Sequence, residues 1–205
     1  MNQNERTMNI FTVLDRVFPV YCQIYSNIFE TFTPWKDTRK TINEANQVHH
    51  FLDAFTAVYP DAITWMELPV PDTNKDGKAY TARIDGFILS EKQKRIIFIE
   101  AKRFSRENKV NSLKDDVARI KRILDKAISN GSKLKGLNLN QYEVAALFLA
   151  DAWDHKPEIT NSLEEHLAKL KVDGMLMLRS GHCKVSEGYH LLYSLMEYSA
   201  KPCKQ

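Results

Sequence analysis

Residues that break or staple a chain are scarce in this sequence. Seven glycines and seven prolines in 205 residues are too few for long disordered or low-complexity tracts. Three cysteines, Cys22, Cys183 and Cys203, lie far apart. Their odd number excludes a fully paired disulfide framework, and no pair has the short spacing of a metal site. No stretch reaches the roughly 18 consecutive apolar residues that a membrane helix needs. The opening residues, MNQNERTMNIF, lack the apolar run of a secretion signal. There is no Gly-rich phosphate loop, no G-x-S-x-G elbow and no Cys/His zinc pattern, which argues against an ATP-driven activity. Together these absences predict a soluble cytoplasmic protein with reduced thiols and no membrane partner.

What the chain does contain is ordinary for a globular domain: 43% hydrophobic and 27% charged residues. A chain of this length buries a full core without staples, so one domain over 1–205 is expected. The net charge of +3 is small, but it is unevenly spread. Residues 91–135 hold 14 Lys/Arg against 6 Asp/Glu, while the remainder holds 15 against 20. A basic stretch on a nearly neutral protein suits an anionic partner such as DNA, although a solvated helix face has the same composition.

Periodicity divides the chain. Residues 8–32, broken by Pro19, read as one or two packed helices. Thr38 is a candidate cap for a helix to about Val58, with Ile42, Ala45, Val48, Leu52 and Phe55 at spacings of three and four. Strands are expected over about 62–70, 80–90 and 95–103, the last two joined by the short polar EKQK connection. Helical spacing returns over 110–129 and stops at Asn130-Gly131. A buried strand over 142–153, a short helix over 162–170, a strand over 174–179 and a helical tail over 188–200 complete the prediction. This order implies an α/β domain with a central mixed sheet flanked by helices. Its first three strands form an antiparallel meander, and a helical crossover brings in the fourth.

The hairpin arithmetic carries the chemistry. With Lys92 and Gln93 at the tip, Asp85 falls opposite Glu100 and Arg83 opposite Lys102. Side chains alternate along a strand, so Asp85, Glu100 and Lys102 share a face. Both carboxylates lie in apolar runs, Ile84 and Phe87-Ile88-Leu89 around one, Ile96-Ile97-Phe98-Ile99 before the other. Like charges facing each other across a sheet are destabilising, and buried carboxylates resist ionisation. A hard dication such as Mg²⁺ relieves both problems; so would a structural ion cluster with Lys102 and Arg83.

The segments RIDGFIL around Asp85 and IIFIEAKRF around Glu100-Ala101-Lys102 resemble the PD-(D/E)XK nuclease-like (restriction endonuclease-like) superfamily. The order of elements from residue 38 to 153 agrees with that family's core, leaving 1–36 and 154–205 as terminal elaborations. Ile84 stands where the motif has proline. The literal Pro60-Asp61 and Pro71-Asp72 pairs lie away from the sheet centre. The resemblance implies a Mg²⁺- or Mn²⁺-dependent nuclease acting on DNA. Asp85, Glu100 and the Ala101 carbonyl would hold the metal, and Lys102 would orient or help deprotonate the attacking water. Glu44 is the candidate for a further acidic residue from the preceding helix, with Glu67 as its rival. Lys109, Lys114, Arg119 and Lys121, on the helix after Lys102, would be available for phosphate contacts. A homodimer with one site per strand would suit a duplex cutter. Two other readings stay open: a non-catalytic nucleic-acid-binding or protein-interaction module of the same fold, and an unrelated α/β protein. His49-His50 are expected to point about 100° apart on their helix, so both do not readily face one metal, and a partly exposed structural role is expected for them. Asp151, Asp154 and His155 end a buried strand, where α/β proteins often place functional groups.

Overall fold

Six strands form one mixed sheet in this computed structural model, which describes residues 10–31, 43–73, 77–103, 109–129, 141–153, 174–186 and 188–198. Helices α1 (Ile10–Thr31) and α2 (Glu44–Val58) precede a meander of β1 (Ile63–Thr73), β2 (Ala79–Ser90) and β3 (Arg95–Arg103). Helix α3 (Lys109–Ser129) crosses to β4 (Glu143–Trp153), and β5 (Met175–Ser186) and β6 (Tyr189–Tyr198) follow. The spatial order is β1-β2-β3-β4-β6-β5. Among the described strands, only the β3–β4 pairing, which the α3 crossover joins, is parallel. No described helix is long and apolar enough to cross a membrane.

Each face of the sheet has its own core. Helices α1 and α2 pack on Ile88, Ile97, Ile99, Leu147 and Leu195. Helix α3 packs on Ile84, Phe87, Phe98, Phe148 and Met196. Strands β3 and β4 are therefore buried on both sides, which is why their sequences are apolar without alternation.

Two elements differ from expectation, and a third is settled between two readings. The described residues of 8–32 form one helix, Ile10–Thr31, with Pro19 inside it on an exposed position. Proline removes one helical hydrogen bond, and the buried stripe of Val13, Leu14, Val17, Tyr21 and Tyr25 on either side of it holds the helix together. Helix α2 is capped by Asn43, whose side chain accepts the Asn46 N–H at 2.8 Å; Thr38 lies outside the described residues, as does the helix expected over 162–170. The tail over 188–200 is not a helix. Its described part is β6, inserted between β4 and β5, with Leu191 and Leu195 toward α1 and α2, and Leu192 and Met196 toward α3. The C-terminal elaboration thus completes the central sheet.

The β2–β3 hairpin has the expected tip. Lys94 N–H donates to the Glu91 carbonyl around Lys92-Gln93, and the ladder runs from Ser90↔Arg95 to Gly86↔Ile99. It stops there, so Asp85 and Glu100 are not a ladder pair, nor are Arg83 and Lys102. The cause is a slip in alternation. Ala82 and Ile84 face α3, and so do Phe87 and Leu89, which places one residue too many between Ile84 and Phe87. In the neighbouring pairing, Met66↔Gly86 and Leu68↔Ile84 form while Glu67 and Asp85 are skipped. Glu67 has a φ of 51°, a left-handed conformation that costs a non-glycine residue about 1 kcal/mol.

Candidate metal centre

The slip decides what Asp85 does. Released from the ladder, its carboxylate accepts the Ala101 N–H at 2.9 Å through Oδ2. It thereby supplies the acceptor for an amide at the point where β2 and β3 part. Glu100, the residue before that amide, is 1% exposed and turned toward α3. Its Oε1 accepts from Arg119 at 2.5 Å, and its Oε2 is buried with no hydrogen-bond partner among the described residues. Burial, and next the Asp85 charge, push the Glu100 carboxyl up to about 8, against the pull of Arg119.

Lys102 emerges from the same strand two residues on. Its ammonium lies 3.2 Å from Asp116 Oδ2 on α3, an ion pair rather than an aligned hydrogen bond. Asp116 Oδ1 also lies 3.4 Å from the Arg119 guanidinium. Burial disfavours the Lys102 charge, but Asp116, and after it Glu100 and Glu44, outweigh that and hold its pKa above the usual lysine value. Arg119 is likewise held above its usual value against burial, chiefly by Glu100. Two cations and three carboxylates therefore meet where β2, β3 and α3 converge.

Glu44 opens α2, and its charge reaches Lys102. One turn further on, the buried Gln47 holds α2 to the strand ends. Its amide donates to Asp151 Oδ1 at 2.9 Å and lies 3.5 Å from the Lys102 carbonyl. Tyr189 from β6 donates to the other Asp151 oxygen at 2.8 Å. Asp151 thus ties α2 and β6 to the strand end beside Lys102; Asp154 and His155 lie outside the described residues.

The remaining predicted residues are dispersed. Glu67 is exposed on the edge strand and pairs with Arg83 at 2.6 Å. Lys114 is exposed on α3. Arg119 points into the carboxylate cluster. Lys121 pairs with Asp125 at 2.6 Å. At about 100° per residue, Lys121 lies within about 20° of Lys114, but Arg119 lies roughly 140° round the helix from Lys114, so the three cations do not make one row. The side chain of Lys109 lies outside the described residues. Asp72, of the Pro71-Asp72 pair, is buried and tied to Thr73, Tyr80, Arg122 and Lys126. It joins β1 to α3.

Two members of the site, Asp116 and Gln47, are not expected from the sequence, whereas Arg119 is expected on phosphate and is found on Glu100. Asp116 and Arg119 border the buried α3 positions Val117 and Ile120, and charges beside an apolar stripe were the available signal. Gln47 stands among the apolar positions of α2, beside Val48 and Phe51.

The donor set fits a hard dication. It combines two carboxylates on adjoining strands, and one oxygen of the buried Glu100 lacks a donor among the described residues. Compared with protein-family models, curated proteins and solved structures, the chain has no match.

Proposed function

We propose that this protein is a metal-dependent nuclease that hydrolyses phosphodiester bonds of DNA. The observation that carries the reading is the buried Glu100, brought beside Asp85 with Lys102 two residues along the same strand. The restriction endonuclease-like architecture implied by the motif is part of the same proposal. Its support is an open mixed sheet with a hairpin and a helical crossover on the central strands.

Asp85 and Glu100, with the Ala101 carbonyl, would hold Mg²⁺ or Mn²⁺. When bound, the ion supplies a Lewis acid and lowers the pKa of a water molecule. The protein's own groups divide the remaining work. Lys102 stays protonated through its Asp116 partner, which favours orienting water and offsetting phosphate charge over accepting a proton. Asp116 acts through Lys102 as a positioning residue. Glu44, at the start of α2, adds negative charge near Lys102.

A second reading has one observation in its favour. The Arg119–Glu100 and Lys102–Asp116 pairs neutralise the carboxylates without any ion, as a non-catalytic DNA-binding module would require. Incubation with plasmid, linear and single-stranded DNA in Mg²⁺ or Mn²⁺ separates the two. Cleavage that falls by about 10²-fold or more in both Asp85→Ala and Lys102→Ala supports the enzyme. DNA binding without cleavage supports the module. Cleavage unchanged in both variants removes the site assignment.

A further inference from the structure

The outer face of α2 carries a second set of metal-type donors. The buried residues Gln47, Val48, Phe51, Leu52, Ala54 and Phe55 define its inner face. At about 100° per residue, His49, His50 and Asp53 cluster on the opposite side. The two histidines do project roughly 100° apart, as adjacent helical residues must. Asp53, however, lies between them one turn further along, and its carboxylate draws the rings together. Asp53 Oδ2 is 3.4 Å from His49 Nε2 and 4.0 Å from His50 Nδ1. All three donor atoms lie within 4.8 Å of one another. Closing to the separations of a tetrahedral site takes side-chain movements of about 1 Å.

We propose that His49, His50 and Asp53 form a surface site for a borderline transition-metal dication of the Zn²⁺ class. Imidazole nitrogens select such ions over Mg²⁺ or Ca²⁺, and three protein donors leave a coordination position for water or an external ligand. The site is partly organised in advance. The His50 ring stands edge-on to Tyr25, with centroids 5.5 Å apart, which limits its rotation. The other two side chains are more than half exposed, His49 at 56% and Asp53 at 53%, so an ion reaches them from solvent. The site is independent of the nuclease reading, because Glu44 lies on the inner side of the same helix.

The test uses the full chain carrying Glu100→Gln, stripped of metal with a chelator, so that the hard-cation site contributes no carboxylate from Glu100. Co²⁺ is titrated in and followed by its visible absorption, with Zn²⁺ as competitor. The expected result is one equivalent of Co²⁺, displaced by Zn²⁺. Its affinity falls by about tenfold or more when His49→Gln or Asp53→Asn is added, since loss of even a supporting residue typically costs about 10–100-fold. Both substitutions are on the surface, and circular dichroism verifies the fold. Absence of one-equivalent binding overturns the proposal, as does binding that neither substitution alters. A thiolate-to-Co²⁺ charge-transfer band would place the ion at the cysteines and overturn it equally.

Discussion

Gly86 sits where the sheet and α2 come closest. A Cβ added there would lie 2.7 Å from Val48 Cγ1, too near for a real contact, and a tight 3.2 Å from Ile99 Cβ. The missing side chain lets α2 settle against β2 beside the slip that frees Asp85. Gly86→Ala is expected to cost about 2 kcal/mol, the usual scale of overpacking, and to lower the melting temperature by about 4–8 °C. Val48→Ala should recover part of that loss in the double variant; thermal melts of the three proteins give the comparison. A melting temperature unchanged by Gly86→Ala would mean that α2 does not approach this closely.

At the scale of elements, α2 connects the N-terminal core to the site, and Gln47 is its polar anchor. Gln47→Leu preserves volume and helix propensity while removing the amide bonds to Asp151 and Lys102. The expected loss is about 2 kcal/mol, because an Asp151 oxygen is left buried without that donor. Cleavage should weaken with it, since β3 loses its fixed end; a melt and an activity assay on one preparation read both effects. The hydrophobic period made most elements legible in the sequence. The meander, the crossover helix and the strand over 142–153 follow from it, and the two-residue tip set the hairpin register correctly from Ser90 back to Gly86. Two features were not legible, for definite reasons. YHLLYSLMEY is apolar on both faces of a central strand, and a continuous apolar run does not distinguish strand from helix. The slip at Asp85 depends on Glu67 and Gly86, residues whose unusual backbone or close approach leaves no period to read. The convergence of Asp85, Glu100 and Lys102 was therefore anticipated through a pairing that does not form. Asp85 reaches the site by a side-chain bond to Ala101 instead.

At the scale of the whole molecule, two buried carboxylates on the α3 side pull the pH dependence of stability in opposite directions. Burial raises the Asp72 pKa, but the Thr73 amide, the Tyr80 hydroxyl and Arg122 together bring it below the ordinary aspartate value. As pH falls, the unfolded chain takes up this proton before the folded protein does, so Asp72 contributes stability above its unfolded pKa and loses it on acidification through its lower folded value. Glu100 has the reverse sign. Its carboxyl stands at about 8 in the fold against 4.5 for an ordinary glutamate. Between those values the folded protein holds a proton that the unfolded chain has released. Its contribution is complete below the unfolded value and is lost as pH rises through the folded one. The metal-free protein should therefore lose stability on both sides of a mildly acidic maximum. Denaturant unfolding in chelator, repeated across pH, reads both limbs. Asp72→Asn should flatten the acid limb. Glu100→Gln should flatten the alkaline limb and leave the protein more stable than wild type near pH 9 by an amount on the order of 3 kcal/mol. Adding Mg²⁺ should restore the alkaline limb of the wild type alone, because an ion held by Glu100 stabilises its ionised form. A Glu100→Gln protein with the same alkaline slope as wild type would show that Glu100 ionises as freely in the fold as in the unfolded chain, and the electrostatic tension that calls for a cation at this site would be absent.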